Sequence, residues 1–439
     1  MATLFSNSGA EVIQRALPAK ESSGRTPTEA LNEFYELERA AAFVIASKFQ
    51  RVALQFPDEL LVDSAAVAAK MEEATGSKMY ILGDTSYGSC CVDEVAAEHV
   101  GAEAVVHYGP ACLSPCRKLP VLHVFGWQPL DTERCAVAFR ELYPDPQSHV
   151  VVLSDVVYAH ALGELEQLLG PEYPHIVFSR LASDGAPDCP QGPGLVRQFG
   201  RYFAVAAQRE LQDHAVFYVG AEGLTLTNFM LSWNRCPFSS FDPVTGCGRH
   251  ESLDANRSLL RRLYLVERAR DARVVGILVG TLGVAGYLSI LEHLRDILHR
   301  AGKRSYTLAM GKLSPAKLAN FLEVDIFVLV ACPQNSLLDS RDFYRPVVTP
   351  YELELACNPA REWSSLYVTD FRDLLPGGCA TIDFARDPGS RDADRFPAPS
   401  FLESRSWRGL EQQLGQTPVT KAVPGRRGIA IAYEDEASG

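Results

Sequence analysis

The chain has 439 residues and 48.2 kDa, more than one hydrophobic core usually serves, so several α/β-sized domains are expected. Its 42 basic and 54 acidic residues leave a net charge of −12 and a pI near 5.4, which argues against a surface built to hold nucleic acid. Apolar content of 47% and mean hydropathy of −0.04 suit a chain with a sizeable core, and no stretch is long and apolar enough to read as a membrane span.

Residues 1–28 read as a polar, mobile segment. The start, MATLFSNSGAEVIQRALPAK, has no charged n-region followed by an apolar h-region. Thr26-Pro27-Thr28-Glu29 has the pattern of a capping box, with Thr26 as N-cap, Pro27 first in the helix and Glu29 third. It predicts a helix to about Ser47. RVALQF (51–56) is a β-rich run, Pro57-Asp58 opens a helix to about Glu73, and Gly76 ends it. KMYILG (78–83), AEAVVHY (102–108) and VLHVFG (121–126) read as further strands, with a helix over VDEVAAEHV stopped by Gly101.

The pattern restarts at SHVVVLS (148–154), with a helix near 160–169 and strands near HIVFS and HAVFYVG. NRSLLRRLYLVERARDA predicts a helix with Leu259, Leu260, Leu263 and Val266 near one face and its arginines on a solvated one. A third start at ARVVGILVG (272–280) leads to a helix over 286–301, a strand at SYTLAMG, a helix at SPAKLANFL and a strand at VDIFVLVAC. The fold class expected is α/β: three similar units over 29–147, 148–271 and 272–385, each with a parallel sheet. Residues 386–439 read as a linker and a C-terminal tail, in which Ile429, Ile431 and Tyr433 alternate like a short strand.

Chemistry concentrates in the 11 cysteines, an odd number in a long chain, which favours reduced thiols and metal ligands in a cytoplasmic protein over a disulfide framework. Cys91, Cys112 and Cys332 each follow a predicted strand, and ligands gather outside the carboxyl ends of parallel strands. Cys90 and Cys91 stand between a Gly88-Ser89 turn and a helix start, where backbone N–H groups favour a thiolate. Adjacent side chains diverge, so one of the pair is expected to ligate; the pattern leaves open which, and we take Cys91. Two small buried thiols at a strand–helix turn explain the pair equally well. Cys112 lies on a stiff Gly-Pro loop and forms C-x3-C with Cys116, but no second close pair completes a zinc site. Cys332 alone reads best as a structural thiol; its place matching that of Cys112 raises the metal reading. Three thiolates are one short of the usual four for an iron–sulfur cluster, which leaves one iron open.

The other motifs read as structural. Gly280-Thr281-Leu282-Gly283-Val284-Ala285-Gly286 is a tight strand–helix turn more than a phosphate cradle, and it lacks G-x-G-x-x-G. His107 reads as a satisfied polar residue at a strand end. Cys236 and Cys247 share a loop and are expected to stay free. No G-x-S-x-G elbow, Walker loop or H-E-x-x-H is present.

Taken together, GDTSYGSCCVDE, VHYGPACLSP, GTLGVAG, LAN with VDIFVLVACP, and YELELAC resemble the diphthamide synthesis family over roughly residues 30–380, most closely its second subunit. The resemblance implies three α/β domains in a pseudo-threefold arrangement around a central iron–sulfur site, with a 4Fe-4S cluster held by Cys91, Cys112 and Cys332. It implies a role in transferring the 3-amino-3-carboxypropyl group of S-adenosylmethionine to a histidine of translation elongation factor 2. The implied partners are the catalytic first subunit, in a heterodimer, and a small iron-binding electron donor. The catalytic subunit usually carries GTLGRQG and VACPRLSIDWG; here the runs are GTLGVAG and VACPQNSLLDS. It also takes one cluster cysteine from the middle domain, where SDVVYAHAL (154–162) has none, and the second subunit's pattern puts Cys112 in its place. The expectation is therefore an accessory cluster-bearing subunit without catalytic residues of its own. A self-sufficient enzyme of the quinolinate synthase type and a cluster-free scaffold are its rivals.

Overall fold

A computed structural model describes residues 26–27, 29–83, 88–116, 118–182, 194–205, 209–251, 253–338, 343–363, 367–382, 384, 428–429 and 432–433. The chain divides into two units, residues 1–398 and 399–439. The second holds a two-stranded antiparallel pair, Gly428–Ile429 with Ala432–Tyr433, where the sequence predicted one strand. The linker composition at 386–398 and most of the tail lie outside the described residues.

The first unit opens with two short helices, α1 (Leu31–Phe34) and α2 (Leu37–Ser47), instead of one. Glu36 sits between them in the left-handed region at φ 45°. Thr26 does not cap this helix. Its hydroxyl donates to Asp63 at 2.6 Å and its amide points to the same carboxylate, so a distant acceptor outcompetes the local one. The first sheet then forms from β1 (Arg51–Gln55), β2 (Lys78–Leu82), β3 (Ala104–Tyr108) and β4 (Val121–Val124), all parallel, in the order β2-β1-β3-β4. Between β1 and β2 runs a 3-10 turn (Asp58–Asp63) and then α3 (Ser64–Thr75). Gly76 stops α3 at φ 72°, the left-handed close that glycine allows without steric cost. All five residues of β3 are buried, as a central strand covered on both faces requires. Helix α4 (Glu94–His99) follows β2 and is capped by the Asp93 carboxylate, which accepts from the Ala96 amide at 2.9 Å.

The second sheet departs from a simple repeat. It contains β5 (Val150–Ser154), β6 (Ile176–Phe178), β10 (Ala215–Val219), β11 (Phe238–Asp242) and β12 (Cys247–His250) in the order β12-β11-β10-β5-β6, with β12 antiparallel at the edge. A separate antiparallel sheet of β7 (Arg180–Leu181), β8 (Leu195–Gln198) and β9 (Arg201–Ala204) interrupts it in sequence. These insertions blur the periodicity of the middle unit.

The third sheet repeats the first. Strands β13 (Val274–Val279), β14 (Arg304–Ala309), β15 (Ile326–Val330) and β16 (Val347–Val348) run parallel in the order β14-β13-β15-β16. The helix predicted over SPAKLANFL shrinks to Pro315–Leu318, because the Asn320 side chain donates back to the Ala316 carbonyl and favours a turn.

The helix before this sheet, Leu253–Asp271, turns Val266 and Leu259 to the core as expected, but not Leu260. Leu265, Val266 and Ala269 are buried, Leu260 is exposed, and Arg262 lies inside. The Arg262 guanidinium donates to both oxygens of Glu352, at 2.5 and 2.6 Å. Glu352 belongs to helix Pro350–Cys357, where it also completes a capping box with Thr349 and accepts from the Tyr367 hydroxyl at 2.7 Å. No helix among the described residues is long and apolar enough to cross a membrane.

Candidate metal centre

The carboxyl ends of the first and third sheets bring the cysteines together. Strand β2 leads into the Gly88–Cys91 turn, β3 into the Gly109–Cys112 loop, and β15 ends two residues before Cys332. Cys90, Cys91, Cys112 and Cys332 then converge with all four sulfurs within 4.8 Å of one another. The Cys90 and Cys332 sulfurs are 3.6 Å apart, and those of Cys112 and Cys91 are 3.9 Å apart. Cys91, Cys112 and Cys332, the expected set, are joined by Cys90. The adjacent pair does not diverge: the Cys91 amide donates to the Gly88 carbonyl at 3.2 Å, and this tight turn carries both thiols to one side.

Each element of the site is held by a buried polar contact. Gln55, at the end of β1, donates to the Cys91 carbonyl at 2.8 Å and accepts from the Asp93 amide at 2.9 Å. The Cys112 amide donates to the Cys90 carbonyl at 3.0 Å, tying the two cysteine loops edge to edge. His107 is fully buried and its Nε2–H donates to the Ser89 carbonyl at 3.0 Å, so it fixes the turn; the strand-end reading of this histidine holds. Asn228 of helix Leu224–Ser232 donates to the Pro333 carbonyl beyond Cys332 at 2.8 Å. The second sheet thus supplies no cysteine but braces the loop that does.

Glycines set the closest approaches. A Cβ on Gly283 would lie 2.1 Å from the Val92 carbonyl, so the Gly280–Gly286 turn is built for packing against the cysteine turn. Val284 is buried beside the sulfurs and lines a cavity with Cys90, Cys91 and Cys112. Cys116 borders the same cavity but stands outside the sulfur group, its own sulfur 3.9 Å from the Ser114 carbonyl. Every cysteine among the described residues is a free thiol, Cys236 and Cys247 included.

Cys91, Cys112 and Cys332 differ in how readily they ionise. Hydrogen bonds from Cys332, then Cys90 and Cys91, hold Cys112 well below the ordinary thiol range. Cys91 and Cys332 are pushed well above it, in both cases chiefly by Cys112. Thiolates crowded together in a buried site oppose one another's charge without a neutralising cation. A bound metal would supply that cation and deprotonate the thiols. Soft thiolates are the donor set of iron–sulfur clusters and of zinc, and the residues present fit either.

Sequence reasoning left open which of Cys90 and Cys91 joins the group, expecting only one, and it missed Gln55 and Asn335, whose Nδ2 donates to the Cys90 sulfur at 3.3 Å. Of Cys90, Gln55 and Asn335 only Cys90 left a signal, since Gly88-Ser89 ahead of two cysteines is the composition of a turn that can place both on one side.

The chain is an α/β protein in which the ends of two parallel sheets meet at four cysteines placed so that they could hold a metal ion. The chain belongs to the diphthamide synthesis protein family, whose profile matches residues 56–368. It is 65% identical to the 2-(3-amino-3-carboxypropyl)histidine synthase subunit 2 of Gallus gallus, over 99% of each chain. To the protein of the same description from Danio rerio it is 51% identical, over 99% of this chain and 98% of that one. Among solved structures it is similar in fold to Dph2 from Pyrococcus horikoshii, with a TM-score of 0.57 and 19% identity over 76% of this chain and 93% of that one. A structure of Dph2 from the same organism with a 4Fe-4S cluster gives a TM-score of 0.58 and 21% identity over 75% and 92%.

Proposed function

We propose that the chain is the accessory, cluster-bearing subunit of the synthase that places a 3-amino-3-carboxypropyl group from S-adenosylmethionine on a histidine of elongation factor 2. The observation that carries this reading is the buried sulfur group beside an apolar loop. Cys91, Cys112 and Cys332 are close enough to ligate one centre, while Val284 and Ala285 stand where the catalytic subunit's pattern has Arg and Gln. Ligation is retained and substrate contact is not.

Cys91, Cys112 and Cys332 would hold a 4Fe-4S cluster at the centre of three α/β domains, 29–147, 148–271 and 272–385, arranged about a pseudo-threefold axis. A 4Fe-4S cluster held there would supply one-electron chemistry, suited to relaying electrons from a small iron-binding donor protein toward the catalytic subunit. Gln55 and His107 keep the cysteine turn in place, and Val284 shields it from water. The catalytic first subunit is the partner in a cytoplasmic heterodimer, and elongation factor 2 is the protein modified.

The test is to co-express the chain with the catalytic subunit, disable that subunit's own cluster, and purify without oxygen. Iron and labile sulfide on this chain, lost on Cys91→Ala, Cys112→Ala or Cys332→Ala, would support the reading. Absence of iron from the intact chain would leave it a scaffold.

A further inference from the structure

We infer that Cys90 is a fourth sulfur ligand, held as such by Asn335, so that the centre of this subunit is closed and offers no open iron. The inference rests on the iron–sulfur reading above and goes beyond it, because three thiolates would leave one iron without a protein ligand.

Four observations place Cys90 in the group. Its sulfur is nearer to Cys332, at 3.6 Å, than the Cys112 sulfur is to Cys91, at 3.9 Å. Cys90 and Cys91 are equally buried, each 7% exposed, so the turn favours neither for the interior. The Asn335 Nδ2 donates to the Cys90 sulfur at 3.3 Å. An amide N–H directed at sulfur supports the thiolate, and hydrogen bonds to the sulfurs are one determinant of a cluster's potential. Finally, the approach of Asn335 depends on Gly88, where a Cβ would lie 2.1 Å from Nδ2.

Asn335 ends the 3-10 turn Pro333–Asn335 that follows Cys332 directly. One short segment therefore brings both a thiol and the amide that serves another thiol. This is the stretch VACPQNSLLDS, in which the chain departs from the pattern of the catalytic subunit. The departure removes side chains that would meet a substrate and puts in one that meets Cys90. Val284, 2% exposed, covers the neighbouring side with an apolar surface. Among the described residues that line this cavity, Ser114 and His123 are polar and none is an arginine, a lysine or a carboxylate. A closed centre suits electron relay, which needs no exchangeable ligand.

The experiment uses the heterodimer with the partner's cluster disabled, prepared without oxygen, with iron, sulfide and zinc counted first. Ferricyanide is then added and the electron paramagnetic resonance spectrum followed. A cluster with four protein thiolates should keep its four irons, whereas one with three should lose the unligated iron and show a three-iron signal. The wild type should keep its iron, and Cys90→Ala should fall from four irons to three. Cyanide, which needs no side chain to orient it, should leave the reduced wild-type spectrum unchanged and shift that of Cys90→Ala.

Asn335→Leu keeps all four cysteines and should lower the midpoint potential without loss of iron; an unchanged potential would remove Asn335 from the assignment. A wild type that loses one iron to ferricyanide, or shifts with cyanide, overturns the closed centre even if Cys90→Ala fails to fold. Iron in the wild type with an identical Cys90→Ala overturns this inference alone. No iron, or zinc in its place, overturns the iron–sulfur reading as well.

Discussion

The cysteines of this chain differ more in environment than in number. Cys135 is fully buried, and burial, with Asp131 adding to it, pushes its thiol up to about 12. Burial likewise pushes Cys236 and Cys357 up to about 11. Cys247 lies exposed on the antiparallel edge of the second sheet. The thiolate is the reactive form, and the raised groups gain it only as pH climbs toward these values. Iodoacetamide at pH 8 should therefore label Cys247 in the native protein and leave Cys135, Cys236 and Cys357 unlabelled, as peptide mass spectrometry would show. Labelling of Cys135 ahead of Cys247 would contradict the burial. A second residue-scale outcome concerns Gln55. Replacing it with Leu strands the Cys91 carbonyl and the Asp93 amide, both held by its side chain. Each buried polar group left without a partner costs about 1–3 kcal/mol. Gln55→Leu should lower the urea midpoint and reduce iron retention although it removes no ligand.

Among the elements, the pairing of the helix Leu253–Asp271 with the helix Pro350–Cys357 is the most exposed to single changes. Burial works against the charge of Arg262, but Glu352 and then Tyr367 outweigh it and hold the guanidinium above its usual range. Removing one member of a buried pair leaves the other charge uncompensated, at about 3–5 kcal/mol. Arg262→Met should destabilise by that order in urea unfolding. Adding Glu352→Gln should recover much of the loss, since the neutral amide can accept from the Thr349 N–H through its oxygen and donate from its NH2 to the Tyr367 hydroxyl. A double variant no better than Arg262→Met would show that packing of the arginine stem is the larger part. This pair also marks where sequence reading runs out. Strands β1, β3, β13 and β15 were legible because continuous apolar runs are what doubly covered parallel strands need. Gly76 was legible because the end of α3 needs a left-handed residue. Arg262 was not, because its partner is 90 residues away and an arginine-rich helix has the composition of a solvated one. Thr26 misled for the same reason: the local cap was plausible, and Asp63 is 37 residues distant.

At the scale of the whole first unit, the centre is a joint between sheets. That Cys112 and Cys332 stand at matching strand ends could be read from the repeat of strand and helix. The contacts that fix their distance could not, because they join backbone segments that share no pattern. Two glycines carry this closeness. Gly283, in the loop after β13, has the Val92 carbonyl 2.1 Å from where a Cβ would stand, so a side chain there must move the third sheet's loop off the cysteine turn. Gly200, at φ 66° between β8 and β9, has the Leu113 Cβ at 2.1 Å in the same sense, next to Cys112. Overpacking of this kind costs about 1–3 kcal/mol, and at Gly200 the positive φ adds backbone strain. Neither change touches a thiol, and each sheet keeps its own core. Gly283→Ala and Gly200→Ala should therefore retain most of the native circular dichroism and, if the chain carries the proposed cluster, lose iron faster to a chelator than the wild type. Gly283→Ala separates the turn of Cys90 and Cys91 from the third sheet, and Gly200→Ala displaces the loop of Cys112. Chelation as slow as in the wild type would mean that the sulfurs are held within their own loops and not by the meeting of the sheets.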